Sequence, residues 1–190
     1  MKQIVLDTIE THKKLVGRFQ AGGVDTVIAV AEMLVKCIKN NGTVYICGNG
    51  GSAADAQHIA GELVGRFKRQ RKALPAVALT TDSSIITSVA NDYSFNDIFT
   101  RQVEALVKKR DVLWAISTSG TSPNVVAAAE LAKEKGASVL AFTGKENSKL
   151  QCIADVCLCI NAATTAGAQE IHQLAYHIIC DLVERAFASG

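Results

Sequence analysis

The chain has 190 residues, of which 48% are hydrophobic and 20% charged, with a net charge of +2. That length is most simply one domain that buries a core without disulfides or a structural metal, and the composition excludes a disordered chain. So small a net charge supplies no field that would argue for nucleic acid or an anionic membrane as partner.

Lys2, Asp7 and Glu10 come too early for a signal peptide. No run approaches the ~18–20 apolar residues of a membrane span. A cytoplasmic protein is expected. The six cysteines show no disulfide or zinc-finger spacing. Cys37, Cys47 and Cys180 lie in apolar contexts, and Cys157 and Cys159 alternate as on one strand face. Buried, reduced thiols are expected.

Residues 2–20 place Ile4, Leu6, Ile9, Leu15 and Phe19 at near-helical spacing, and Gly22-Gly23 breaks the pattern. Asp25 can cap a second helix, which Asn40-Asn41-Gly42 suits to end in a left-handed stop. A compact α/β unit does not need both helices, so the first is available to pack on another subunit. From Thr43 onward strands and helices alternate. Short apolar runs predict strands near 43–47, 76–80, 112–117, 138–143 and 156–160. Helices fill 53–66, 84–90, 97–108, 123–135 and 168–187. The expected fold is a single α/β domain, a three-layer doubly wound sandwich around a five-stranded parallel sheet. Residues 42–190 form its core, preceded by N-terminal helices over 1–41.

Such folds bind ligands beyond the carboxyl ends of their strands. The first strand ends in Gly48-Asn49-Gly50-Gly51-Ser52, the second in Thr80-Thr81-Asp82-Ser83-Ser84, and the fourth in Thr143-Gly144-Lys145. The third ends in Ser117-Thr118-Ser119-Gly120-Thr121-Ser122, before Pro123. A run of Ser, Thr and Gly opening a helix can wrap a phosphate with hydroxyl and backbone donors. The competing explanation is that these hydroxyls merely cap helices. Gly48, Gly50 and Ala53 also match a loose dinucleotide pattern. That scheme wants an acid about 20 residues on, where this chain has Arg66, Lys68, Arg69 and Arg71. The basic cluster Arg66–Lys72 reads as a solvated loop, able at most to guide an anionic substrate.

His58 and Glu62 stand at i, i+4 on one helix face. The last helix carries Gln169, His172 and His177. His, Glu and Gln are suitable ligands for zinc or a similar ion, although lone helix histidines are more often ordinary residues.

Taken together, Cys47-Gly-Asn-Gly-Gly-Ser52 with His58 and Glu62, Asn91-Asp92, Ser117–Ser122, and Gln169-Glu-Ile-His172 with His177 resemble the phosphoheptose isomerases. These belong to the sugar isomerase (SIS) domain superfamily, and the motifs run in order along essentially the whole chain. The resemblance implies conversion of sedoheptulose 7-phosphate to D-glycero-D-manno-heptose 7-phosphate, toward bacterial surface heptose. It implies a homotetramer with sites at subunit boundaries. It also implies one zinc ion per subunit on His58, Glu62, Gln169 and His177, with Glu62 as base and His177 as acid. Substrate would meet Asn49, Gly50, Gly51, Ser52, Glu62, Asn91, Asp92, Ser117, Thr118, Ser119, Ser122 and Gln169. One position departs, since Gly167 stands where the family often has an Arg. Gln169 and His177 are also eight residues apart, roughly 12 Å along a continuous helix. Two other readings stay open: a non-enzymatic SIS protein that binds the replication initiator, and an isomerase of another sugar phosphate.

Overall fold

The computed structural model describes residues 1–188. Two helices, α1 (Lys2–Gly22) and α2 (Val24–Lys39), meet at Gly23 and lead into the sheet. Gly23, not Asp25, is the N-cap of α2. Asp25 lies in the first turn, where a carboxylate complements the helix dipole without bonding the end. Asn41 takes a left-handed φ of 57° and turns the chain out of α2, as the sequence predicts.

Five parallel strands follow: β1 (Val44–Gly48), β2 (Ala76–Ala78), β3 (Val112–Ser117), β4 (Ser138–Thr143) and β5 (Val156–Cys159). Their order in the sheet is β2-β1-β3-β4-β5. β3 is buried at every position, because helices cover both faces. The connecting helices are α3 (Gly51–Val64), α4 (Ser83–Asp92), α5 (Thr100–Leu106), α6 (Pro123–Glu134), α7 (Lys149–Ile153) and α8 (Thr165–Phe187). Three differences from expectation have local causes. β2 stops at Ala78, where the Thr81 hydroxyl bonds back to the Ala78 carbonyl and closes a turn. A 3₁₀ turn over Phe95–Asp97, capped by the Ser94 hydroxyl, precedes a shortened α5. The five-residue α7 is too short to show a periodicity.

Each sheet face carries its own core. Ile46, Trp114, Ile116 and Phe142 pack under α2, α3 and α8, while Cys47, Leu113, Ala115 and Ala141 meet α5 and α6 on the other side. Cys37, Cys47 and Cys180 are buried and unbridged, and burial pushes the Cys47 thiol up to about 12. Of α1 only the C-terminal half is held, through Leu15 against Ala168 and Ile171 of α8. Gly167 belongs to this contact: a Cβ there would lie 2.8 Å from Leu15 Cδ1, so a larger residue would require the Leu15 side chain to shift. The N-terminal half of α1 exposes Ile4, Val5, Leu6 and Ile9.

Candidate functional site

The strand order reverses between β1 and β3, and in such sheets the place where the order reverses is where ligands bind, beyond the carboxyl ends of the strands. Both loops are built for close approach. Gly50 adopts φ 55° and ψ −121°, a conformation that residues with a Cβ rarely reach. Gly51 lies directly under Gln169, whose amide atoms would stand 2.3–2.8 Å from any Cβ placed there. The carboxamides of Asn49 and Asn124 bond each other head to head at 2.8 and 2.9 Å, which ties the β1 loop to the start of α6.

In the β3 loop the Ser117 hydroxyl lies 2.9 Å from that of Ser122 and 3.2 Å from that of Ser119. Ser122 is the N-cap residue of α6, yet its side chain makes no capping bond. The hydroxyl turns instead toward the cluster, which removes helix capping as its explanation. Thr118 holds the β4 loop by accepting from Gly144 N–H at 2.9 Å. By contrast, Asp82 in the β2 loop is an ordinary cap, accepting from Ile85 N–H. Ser52 is buried beside Gly48 in the first turn of α3.

A second cluster stands between α3 and α8. His58, Glu62 and His177 each offer a donor atom, and all these atoms lie within 4.8 Å of one another. α3 supplies the first two and α8 the third. His58 Nε2 stands 3.1 Å from Glu62 Oε1. Two imidazoles and a carboxylate with donor atoms this close together fit a divalent transition metal. Burial first, then the nearby His58, holds the His177 imidazole below its ordinary pKa. At neutral pH His177 is therefore uncharged, the state that ligates a metal. The Phe67 ring stacks on it, with centroids 5.5 Å apart and planes at 16°.

Gln169 lies between the β1 loop at Gly51 and the Asp55 side chain of α3. Its amide reaches Asp55 Oδ2 at 3.2 Å, and Asp55 is one turn before His58 on α3. Desolvation raises the Asp55 pKa against the bonds from Gln169 and Tyr176. His172, read with the other histidines at this edge, belongs to the core instead. It is fully buried, and its Nε2–H donates to the Thr143 carbonyl at 3.1 Å. Asn91 and Asp92 are exposed at the end of α4 and bond each other at 2.7 Å, with no hydrogen bond to either strand-end loop.

The stretch Arg66–Lys72 is in part the solvated loop its charges suggest, with Arg66, Lys68 and Lys72 exposed, but it is also fastened to α8. Glu184 on α8 accepts from the backbone N–H groups of Phe67, Lys68 and Arg69 at 2.7–2.9 Å. The Arg71 side chain is as deeply buried as that of Glu184 and lies 3.5 Å from it. This loop is clamped onto α8, and through Phe67 it walls the metal cluster. Asp55, Tyr176, Phe67 and Asn124 are all parts of the site that residue spacing did not single out. The one signal was Asp55, which shares a helix face with His58 and Glu62 at i−3 and i−7.

The SIS-domain family model matches residues 9–144. The phosphoheptose isomerase of Roseiflexus sp. (strain RS-1) is 45% identical over 95% of this chain and 92% of its own. A phosphoheptose isomerase structure from Neisseria gonorrhoeae superposes with a TM-score of 0.91 at 38% identity, covering 97% of this chain and 98% of that one. One from Francisella tularensis gives 0.93 at 34%, covering 96% and 97%. These likenesses span the strand-end loops as well as both helices of the metal cluster, and they set aside the non-enzymatic reading. The chain belongs to the phosphoheptose isomerase branch of the SIS-domain family and is an isomerase.

Proposed function

We propose that this enzyme converts sedoheptulose 7-phosphate to D-glycero-D-manno-heptose 7-phosphate, feeding bacterial surface heptose. The observation that carries this reading is a pair of features on neighbouring elements: a hydroxyl-lined loop after β3, and the His58–Glu62–His177 cluster on α3 and α8, the two helices that also carry Gly51 and Gln169. A sugar phosphate needs both: a grip on its phosphate, and proton-transfer groups at its carbonyl end.

Ser117, Thr118, Ser119 and Ser122 hold the phosphate with hydroxyl and backbone donors. Asn49, Gly50, Gly51 and Ser52 meet the sugar from the β1 loop, and Gln169 orients it from α8. Anchoring at the phosphate turns binding energy into positioning at the distant carbons. Ketose-to-aldose conversion then moves a proton between C1 and C2 through a cis-enediol. Glu62 takes the proton from carbon, and His177 serves the oxygens. Zinc, held by His58, Glu62 and His177, would supply Lewis-acid polarisation of the substrate oxygens when bound. Gln169 as a fourth ligand has to leave Asp55, one turn above His58. Glu62 needs one oxygen free of the metal, because a fully committed carboxylate is a poor base.

The exposed apolar residues of α1, and Tyr93 and Phe95 beside Asn91 and Asp92, support a homotetramer with sites at subunit boundaries. In it, Asn91 and Asp92 reach a neighbouring protomer's substrate. A cytoplasmic location, with neither nucleic acid nor membrane as partner, completes the proposal. No described helix is long and apolar enough to cross a membrane. The test is incubation with sedoheptulose 7-phosphate, with and without a chelator, followed by NMR. The heptose product should form and should stop forming under chelation. Turnover only of other sugar phosphates would give the enzyme a different substrate.

A further inference from the structure

We infer that Tyr176 is a positioning residue for the metal cluster: its hydroxyl, seated between Asp55 and His58, determines which His58 nitrogen is free for a cation. The inference rests on the proposed metal role of His58, Glu62 and His177. Tyr176 is 1% exposed, and its hydroxyl stands 3.1 Å from His58 Nδ1 and 3.4 Å from Asp55 Oδ1. A phenol has one proton to donate, and a carboxylate can only accept.

The direction of the hydrogen bonds follows from that count. Nε2 of His58 is the nitrogen that faces Glu62. Once Nε2 is committed to a cation, the one remaining ring proton is on Nδ1. Nδ1–H then donates to the phenolic oxygen, and the phenol's own proton turns to Asp55. Every donor in the chain meets an acceptor. The Tyr176 and His58 rings also meet edge to face, with centroids 5.4 Å apart, which fixes the plane of the imidazole. The other Asp55 oxygen accepts from Gln169 in this structure. Metal-bound imidazoles usually give their second N–H directly to a carboxylate or carbonyl. Here a phenol is interposed, and removing its oxygen leaves Nδ1–H without a protein acceptor.

The test is zinc affinity of the full chain, read by competition with a chromophoric chelator, for wild type, Tyr176→Phe and Tyr45→Phe. The Tyr45 hydroxyl bonds the Leu106 carbonyl near the start of β1, away from the cluster, and controls for loss of a phenol oxygen as such. Tyr176→Phe should weaken zinc at least ~10-fold and Tyr45→Phe by less than about twofold, with far-UV circular dichroism unchanged. The visible absorption of the cobalt-loaded protein should shift in Tyr176→Phe alone. Wild-type zinc affinity and cobalt spectrum in Tyr176→Phe would overturn the inference, as would equal weakening in Tyr45→Phe. Should Tyr176→Phe not fold, Asp55→Asn decides, with weakened zinc expected and unchanged zinc contradicting. A wild-type chain that binds no zinc would overturn the metal reading itself, and this inference with it.

Discussion

Glu62 has two proposed tasks, metal ligand and base, and its surroundings are compatible with both. It lies on the same face of α3 as His58, with a side chain 20% exposed, close enough to share a cation and open enough to reach substrate. Glu62→Gln and His177→Gln should each lower turnover by at least ~10²-fold, the scale of a lost acid or base, with circular dichroism unchanged. Near-normal turnover in either would remove that residue's role. Ser122→Ala tests phosphate binding through KM, because the variant loses the bond to the Ser117 hydroxyl but no capping bond. We expect a raised KM with a stability loss of about 1 kcal/mol in urea, the scale of one hydrogen bond. An unchanged KM would contradict the role. The closeness of His58 and Glu62 was legible because i, i+4 spacing puts the two side chains on one helix face. Tyr176 and Asn124 were not, since a buried Tyr in a helix's apolar stripe looks like core until its hydroxyl partners are seen.

At the scale of elements, the strands were readable because fully buried parallel strands are short apolar runs, as β3 and β4 are. The loop over 66–72 was not readable. Its charges suggest a solvated surface, and the carboxylate that organises it lies far along the chain on α8. Burial tends to raise the Glu184 pKa, but three backbone donors and Arg71 outweigh it and hold the group low. Glu184→Gln removes the charge that balances buried Arg71. It should destabilise the fold by about 3 kcal/mol in chemical denaturation, as breaking one side of a buried pair does. Turnover should fall with it, because Phe67 loses its hold on His177. A change within about 0.5 kcal/mol would mean that the clamp carries no strain-bearing charge.

For the whole molecule, His172 makes stability depend on pH. Burial lowers its pKa from 6.5 to about 4, against the pull of its bond to Thr143. Above pH 6.5 the residue is neutral folded or unfolded and contributes nothing. Between pH 6.5 and 4 only the unfolded chain takes up the proton, so stability falls as the solution is acidified, by roughly 3 kcal/mol in all. Denaturation midpoints across this window should fall less steeply in His172→Gln than in wild type, and parallel curves would contradict the assignment. The central claim is that two helices carry three ligands to one cation beside a loop that grips phosphate. Its most direct test is a crystal soaked with zinc and sedoheptulose 7-phosphate, with anomalous diffraction recorded at the zinc edge. The account predicts one peak per subunit bonded to His58, Glu62 and His177, with the sugar's phosphate against Ser117, Ser119 and Ser122. A phosphate bound elsewhere, or zinc sites that leave these three side chains bare, would contradict it.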